Sequence, residues 1–268
     1  MRFCGVDVGH RLLYPAVLDV RERRLAMPRL ALRPAEAVEW IEESAPLAIA
    51  IDSPARLNRG LLARARYRAR HEIELKSGAD RRVCEWRLGI GGCYSTRARL
   101  GDCQPWMRTG MDLFAAFEER GFDLDTGAGG SLFEIHPTYG FRSLVGIERR
   151  GLRVVWCRRL APKRPAGSLG HLQRLGLLAA LLRRWRVRLD CRAATSLDWT
   201  DAILGAALAA LRAEGGTLSV DAPGDAEGAI VLAAFPLPGA EAVLRAVARG
   251  AGPAGPAKGV ERGSQKAR

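Results

Sequence analysis

No stretch of the 268-residue chain approaches the roughly 18 to 20 unbroken apolar residues that a bilayer-crossing helix needs. No charged start followed by an apolar core marks a signal peptide, so the chain is expected in the cytoplasm. Cysteine is sparse: Cys4, Cys84, Cys93, Cys103, Cys157 and Cys191 are scattered, with no Cys-x-x-Cys pair and no histidine at zinc-finger spacing. That pattern excludes a zinc finger or a disulfide-dense module and leaves reduced, mostly packing thiols, with only Cys84, Cys93 and Cys103 close enough in sequence to suggest a bridge or a metal site. Acids are short as well. The 29 Asp and Glu against 42 Lys and Arg leave a net charge of +13 and a pI near 10.3. A surface this basic favours a polyanionic partner, and nucleic acid is the commonest one.

What is present suits a globular protein: 48% hydrophobic and 26% charged residues, in a length that fits one large domain or one domain with an insertion. Residues 2–8 (RFCGVDV), 12–20 (LLYPAVLDV) and 24–32 (RLAMPRLAL) are β-prone runs joined by short turns, which makes them antiparallel neighbours in a meander. PAEAVEWIEESA follows with Ala37, Trp40 and Ile41 on one helical face. PLAIAIDSP is then a buried strand ending at Asp52, and a strand–helix–strand of this length fits a right-handed crossover that sets the fourth strand parallel to the first. From about 56 to 108 the pattern loosens into an arginine-rich, partly helical insertion. A helix is expected near 109–120 with Thr109 at its cap, then a glycine-rich turn and the short strand SLFEIHP. Two long helices follow, at 167–185 and from Ser196 through SLDWTDAILGAALAALRAE, before a last strand EGAIVLAAFP. Residues 250–268 lack any apolar period and are expected to form a disordered basic tail.

The acids that remain fall at telling places. Asp7 and Asp52 end two strands expected to be parallel, and open α/β sheets keep their ligands at the carboxyl ends of such strands. If the strands are adjacent, two carboxylates meet, and they resist joint ionisation unless a cation lies between them. Mg²⁺ or Mn²⁺ suits that role, since hard cations prefer carboxylate oxygen. Asp198 and Asp201, three apart, project from one face of a helix start. Small residues at Ala202, Gly205, Ala206, Ala207 and Ala209 let that helix lie close on a sheet. Glu134 interrupts an apolar strand, so it is either paired or facing a site. Taken singly, each acid has a structural reading as a turn residue, a cap, a dipole partner or a core ion pair. Taken together, they point to a metal cluster.

In chain order, GVDVG, AIDSP, the Arg-x-x-Cys-acid element from Arg81 to Glu85, FEIHP, LDWTDAILGAALAA and EGAIVL resemble the DUF429 family of predicted nucleases. The resemblance runs from about residue 3 to 235. It implies a ribonuclease H-like α/β fold over 1–249: a mixed five-stranded sheet in the order 3-2-1-4-5, flanked by helices and carrying the arginine-rich insertion. It further implies a divalent-metal-dependent phosphodiesterase acting on nucleic acid, DNA or RNA. Asp7, Asp52, Asp198 and Asp201 would be the Mg²⁺ or Mn²⁺ ligands by position, with Asp7, Asp52, Glu134 and Asp201 catalytic. Arg64, Arg66, Arg68, Arg70 and Arg81 of the insertion are expected to hold the nucleic-acid backbone. His10 and His136 lie near enough in sequence to assist proton transfer. Two other readings compete. One is a non-catalytic nucleic-acid-binding protein on the same core. The other is an ATP-binding phosphotransferase of the sugar kinase, Hsp70 and actin type, for which DTGAGG at 125–130 would be a phosphate loop.

Overall fold

The computed structural model describes residues 1–250 apart from 128, 191–194 and 224. The basic tail expected after residue 250, and Cys191, lie outside the described residues. In chain order the elements are β1 (Arg2–Val8), β2 (Leu13–Asp19), β3 (Arg24–Ala26), α1 (Pro34–Glu43), β4 (Ala48–Asp52), α2 (Ala65–Arg70), α3 (Val83–Leu88), α4 (Pro105–Glu118) and β5 (Leu132–Glu134). They continue with α5 (Pro137–Ser143), β6 (Ile147–Arg150), β7 (Arg153–Trp156), α6 (Leu169–Leu182), α7 (Leu197–Ala213), β8 (Thr217–Ala222), β9 (Asp225–Ala233) and α8 (Ala240–Ala248).

The chain is a mixed α/β protein around a sheet ordered β3-β2-β1-β4-β5-β9-β8. β1 pairs antiparallel with β2 and parallel with β4, and β5 and β9 continue the parallel direction before β8 turns back. The sheet therefore has seven strands, not five. Its first five follow the 3-2-1-4-5 sequence, and the β8–β9 hairpin extends the far edge. β3 is shorter than its apolar run suggests, ending before Met27 and Pro28. α4 begins at Pro105, not at Thr109: proline fits the first helical position, where its missing N–H costs nothing. Thr109 instead turns its hydroxyl to the Pro105 carbonyl, 3.2 Å away.

Alternation along the strands divides the core into two faces. Cys4, Val6, Val8, Ile49 and Ile51 pack against Ala37, Val38 and Ile41 of α1 and Leu113, Phe114 and Phe117 of α4. Phe3, Ala48, Ala50, Phe133 and Ile135 point the other way, onto α7 with α5 and α6 around it. Every residue of α7 from Trp199 to Leu211 is buried, as expected of a helix that is apolar on all sides. Ser196 caps it, accepting from the Asp198 N–H at 3.2 Å.

The approach of α7 to β1 depends on one missing side chain. A Cβ at Gly5 would lie 2.1 Å from the Ala202 carbonyl oxygen and 2.2 Å from the Ala206 nitrogen. Both are backbone atoms of the helix and cannot swing aside. Gly5→Ala is expected to cost about 3 kcal/mol or more, the upper end of overpacking effects, read by urea unfolding.

The arginine-rich segment is more deeply placed than its composition suggests. All six residues of α3 are buried, with Cys84 and Leu88 packed on Val220, Ile230 and Leu232 of the β8–β9 hairpin. Among the described residues, the five cysteines are free thiols and no helix is long and apolar enough to cross a membrane.

Candidate metal centre

The register of the sheet decides the site. Asp7 of β1 stands directly beside Asp52 of β4. Because Gly5 and Ala50 lie two residues earlier on the same faces, both carboxylates point to the side where α7 packs. The glycine-enabled contact brings Gly205 close to Gly5, and Asp201, one turn earlier on α7, reaches the strand ends. One oxygen from each of Asp7, Asp52 and Asp201 lies within 4.8 Å of the others.

Burial makes this arrangement electrostatically costly. Asp7 is 8% exposed and Asp201 wholly buried, while Asp52 is half-buried. Burial, then the charges of Asp52 and Asp201, hold the Asp7 carboxyl well above the usual range. Burial and Asp201 push Asp52 up to about 8, and burial also raises Asp201. A counter-charge comes from Lys163, whose Nζ lies 2.5 Å from Asp201 Oδ2. The other oxygen, Asp201 Oδ1, is buried without a hydrogen-bond partner. A single ammonium thus satisfies one oxygen of the cluster and leaves another orphaned. An all-carboxylate donor set with an unpartnered buried oxygen fits a hard divalent cation.

Asp7 and Asp52 line a cavity of about 610 Å³, and Asp201 lies buried behind them. Asp198, expected as a ligand, is not in the three-carboxylate group. It lines the cavity and hydrogen-bonds with the Tyr14 hydroxyl. Three-residue spacing puts Asp198 and Asp201 on one side of α7, and Asp198, nearer the helix start, meets Tyr14, the β2 residue paired with Asp7.

Glu134 also stands outside the cluster, because alternation sends it to a different partner. Arg82 donates to it twice, Nη2 to Oε1 at 2.5 Å and Nη1 to Oε2 at 2.8 Å, and the Ala55 N–H adds a third bond at 3.1 Å. Arg82 Nε also reaches Glu85 Oε1 at 2.8 Å, and Glu85 in turn accepts from the Thr96 N–H at 3.0 Å. Glu134 therefore holds Arg82 and the cavity wall rather than joining the carboxylate cluster.

In comparison with known proteins, no family model, no curated protein and no solved structure matches the chain. The site's own geometry carries the functional argument.

His10 is exposed at the cavity rim. Burial and the nearby Lys163 and Arg142 charges lower the His136 pKa to about 3, so its imidazole is neutral and a weak base near neutral pH. Arg64, Arg66, Arg68 and Arg70 sit on or beside α2, and none lines the cavity. Two of them turn to main chain: Arg64 to the Arg59 carbonyl at 2.9 Å and Arg68 to the Leu62 carbonyl at 2.7 Å. Arg81 is better placed, its guanidinium lying against Gly91, a wall residue.

The DTGAGG turn closes on itself. Asp125 is buried, accepting from the Gly127 and Gly129 N–H groups at 2.8 and 3.0 Å and from the Ser219 hydroxyl at 2.8 Å, with Arg212 2.7 Å away. Its glycines line a separate depression with Arg149 and Arg212. The Gly127 and Gly129 N–H groups, taken up by Asp125, are not free to donate to a nucleotide's phosphates.

Lys163 was not a sequence-level candidate. It comes from a loop, APKRPAGS, with no periodic pattern, and reaches Asp201 across 38 positions. The only signal was its chemistry: a lysine in a chain whose basic residues are nearly all arginine.

Proposed function

We propose that the chain is a divalent-metal-dependent nuclease, hydrolysing phosphodiester bonds of nucleic acid on a ribonuclease H-like core of the DUF429 kind. The observation that carries this reading is the convergence of Asp7, Asp52 and Asp201 on one another, with Asp7 and Asp52 lining a cavity and an oxygen of the buried Asp201 behind them left without a partner. Mg²⁺ or Mn²⁺ is the cofactor it requires, held by those three residues. When bound, such an ion lowers the pKa of a coordinated water and offsets charge developing on the phosphoryl group.

The chain's own groups account for the rest. Lys163, with its side chain 39% exposed, is anchored to Asp201 and faces the cavity, where its ammonium can hold a phosphate oxygen beside the cluster. Arg81, its guanidinium against the wall residue Gly91, positions backbone without reading sequence. The net charge of +13 raises the local concentration of a polyanion and speeds its capture.

The test is cleavage of single-stranded, double-stranded, hybrid and branched nucleic acids with Mg²⁺ or Mn²⁺, beside Asp7→Asn. The variant is expected to lose at least about 100-fold, the size of effect that follows removal of one electrostatic contact to developing charge. A wild type that cuts none of these substrates, or a variant that cuts as well, ends the reading.

A further inference from the structure

Aromatic residues make up only 6% of this chain, yet three of its four tyrosines, Tyr14, Tyr94 and Tyr139, line the cavity that holds the carboxylate cluster, together with Trp106. Tyr94 is 57% exposed, so its ring is open to an incoming partner. Its ring centroid is 6.2 Å from that of His136, and His136 meets Tyr139 edge-on at 4.8 Å. These rings form a continuous wall. Within it, His136 Nδ1 is buried and has no hydrogen-bond partner.

The floor of the cavity is recessed. Asp7 is 8% exposed and Asp201 fully buried, so a phosphodiester must be drawn inward to reach them. In a duplex, successive phosphates are fixed to stacked pairs about 3.4 Å apart along each strand, and one cannot be drawn in alone without unstacking its base. A single strand bears no such constraint. The volume, about 610 Å³, falls in the range of pockets that enclose one small molecule, roughly 300 to 1,000 Å³.

We propose that the cavity receives one unstacked nucleotide, and that the substrate is single-stranded nucleic acid. The base stacks on the tyrosine wall, as sequence-tolerant single-strand binders use aromatic rings. Lys163, bonded to Asp201 at 2.5 Å, stands on the carboxylate side of the cavity, where the phosphate lies. This rests on the nuclease reading for why a phosphodiester enters, but it concerns binding and is tested without turnover.

Equilibrium binding is measured by fluorescence anisotropy in the Asp7→Asn background with Mg²⁺, using a short labelled DNA or RNA strand and the corresponding duplex. The single strand is expected to bind at least about tenfold more tightly, one unstacking step being worth a few kcal/mol. Tyr94→Ala, at an exposed position where folding is retained and checked by melting, is expected to weaken single-strand binding about 5- to 100-fold. Tyr94→Phe, which keeps the ring, is expected to bind like the parent. A free nucleoside monophosphate that displaces the labelled strand, and does so less well in Tyr94→Ala, also supports the proposal and identifies the nucleotide itself as sufficient. Equal affinity for duplex and single strand overturns it, as does unchanged binding in Tyr94→Ala. Metal-dependent cleavage confined to duplexes would sink this inference while leaving the nuclease reading intact. Tyrosine-dependent single-strand binding in a protein that cuts nothing would do the reverse.

Discussion

Adding Mg²⁺ or Mn²⁺ at pH 8 is expected to raise the melting temperature by about 5 to 10 °C. At a hundredfold excess over the dissociation constant, binding contributes about 2.7 kcal/mol, and each kcal/mol moves a domain of this size by about 2 to 4 °C. At pH 5 the shift should be small. The carboxyls of Asp7, Asp52 and Asp201 have folded-state pKa values raised above the ordinary 3.8. The folded protein therefore keeps protons that the unfolded chain releases, and without metal its stability falls as pH climbs from about 4 through the folded value near 8. Metal must displace those protons, so its benefit grows over the same window. The groups that set this balance are Asp7 on β1, Asp52 on β4, Asp198 and Asp201 on α7, Glu134 on β5, and the opposing Lys163. Asp7→Asn separates a metal ligand from a structural acid. Without metal at pH 8 it should be more stable than the wild type by at least about 1 kcal/mol, since it no longer needs a proton and each pKa unit is worth about 1.4 kcal/mol. It should also lose most of the metal-dependent shift. Thermal scans at both pH values, with and without metal, read all of this. A variant less stable than the wild type under every condition would mark Asp7 as a packing residue.

The core of this site was legible because it follows from local pattern. The strand–helix–strand crossover put Asp7 and Asp52 at the ends of two parallel strands, and the small-residue run of α7 promised a close approach that delivers Asp201. What stayed hidden came from pairing across long separations. Lys163 meets Asp201 from a patternless loop. The buried helix α3 was masked because Arg82, Glu85 and Arg87 are charged, and composition assigns such residues to the surface. They are buried because they are paired: Arg82 with Glu85 and Glu134, and Arg87 with Asp221 at 2.9 Å. The β6–β7 hairpin was missed for a related reason, since its exposed arginines interrupt the short apolar face of Ile147, Val154 and Trp156. β8 lies at the sheet edge, where only its last residues are buried and alternation is faint.

Arg82→Met is expected to have the largest effect on stability, about 3 to 5 kcal/mol at pH 8 by urea unfolding. The guanidinium is 1% exposed and is shared by two carboxylates, each of which would be left buried and uncompensated. Burial already raises the Glu134 pKa above 4.5, with Arg82 the main influence pulling it down. Without Arg82 the folded value rises further, so the penalty is light where Glu134 is protonated in both states and grows as pH rises through the folded value. The loss should therefore shrink markedly at pH 5, whereas lost packing alone would be insensitive to pH. Adding Glu134→Gln to Arg82→Met should recover part of the loss at pH 8, because it removes one of the two stranded charges. The same pair also ties α3 to β5, and Arg82, Glu85 and Ile90 are walls of the cavity beside the carboxylate cluster. In the fraction of Arg82→Met that remains folded, the wall opposite Asp52 loses its anchor while Asp7, Asp52 and Asp201 keep theirs on β1, β4 and α7. Metal binding should then survive in this variant while single-strand binding weakens, which separates the element that holds the cation from the element that shapes the pocket around it.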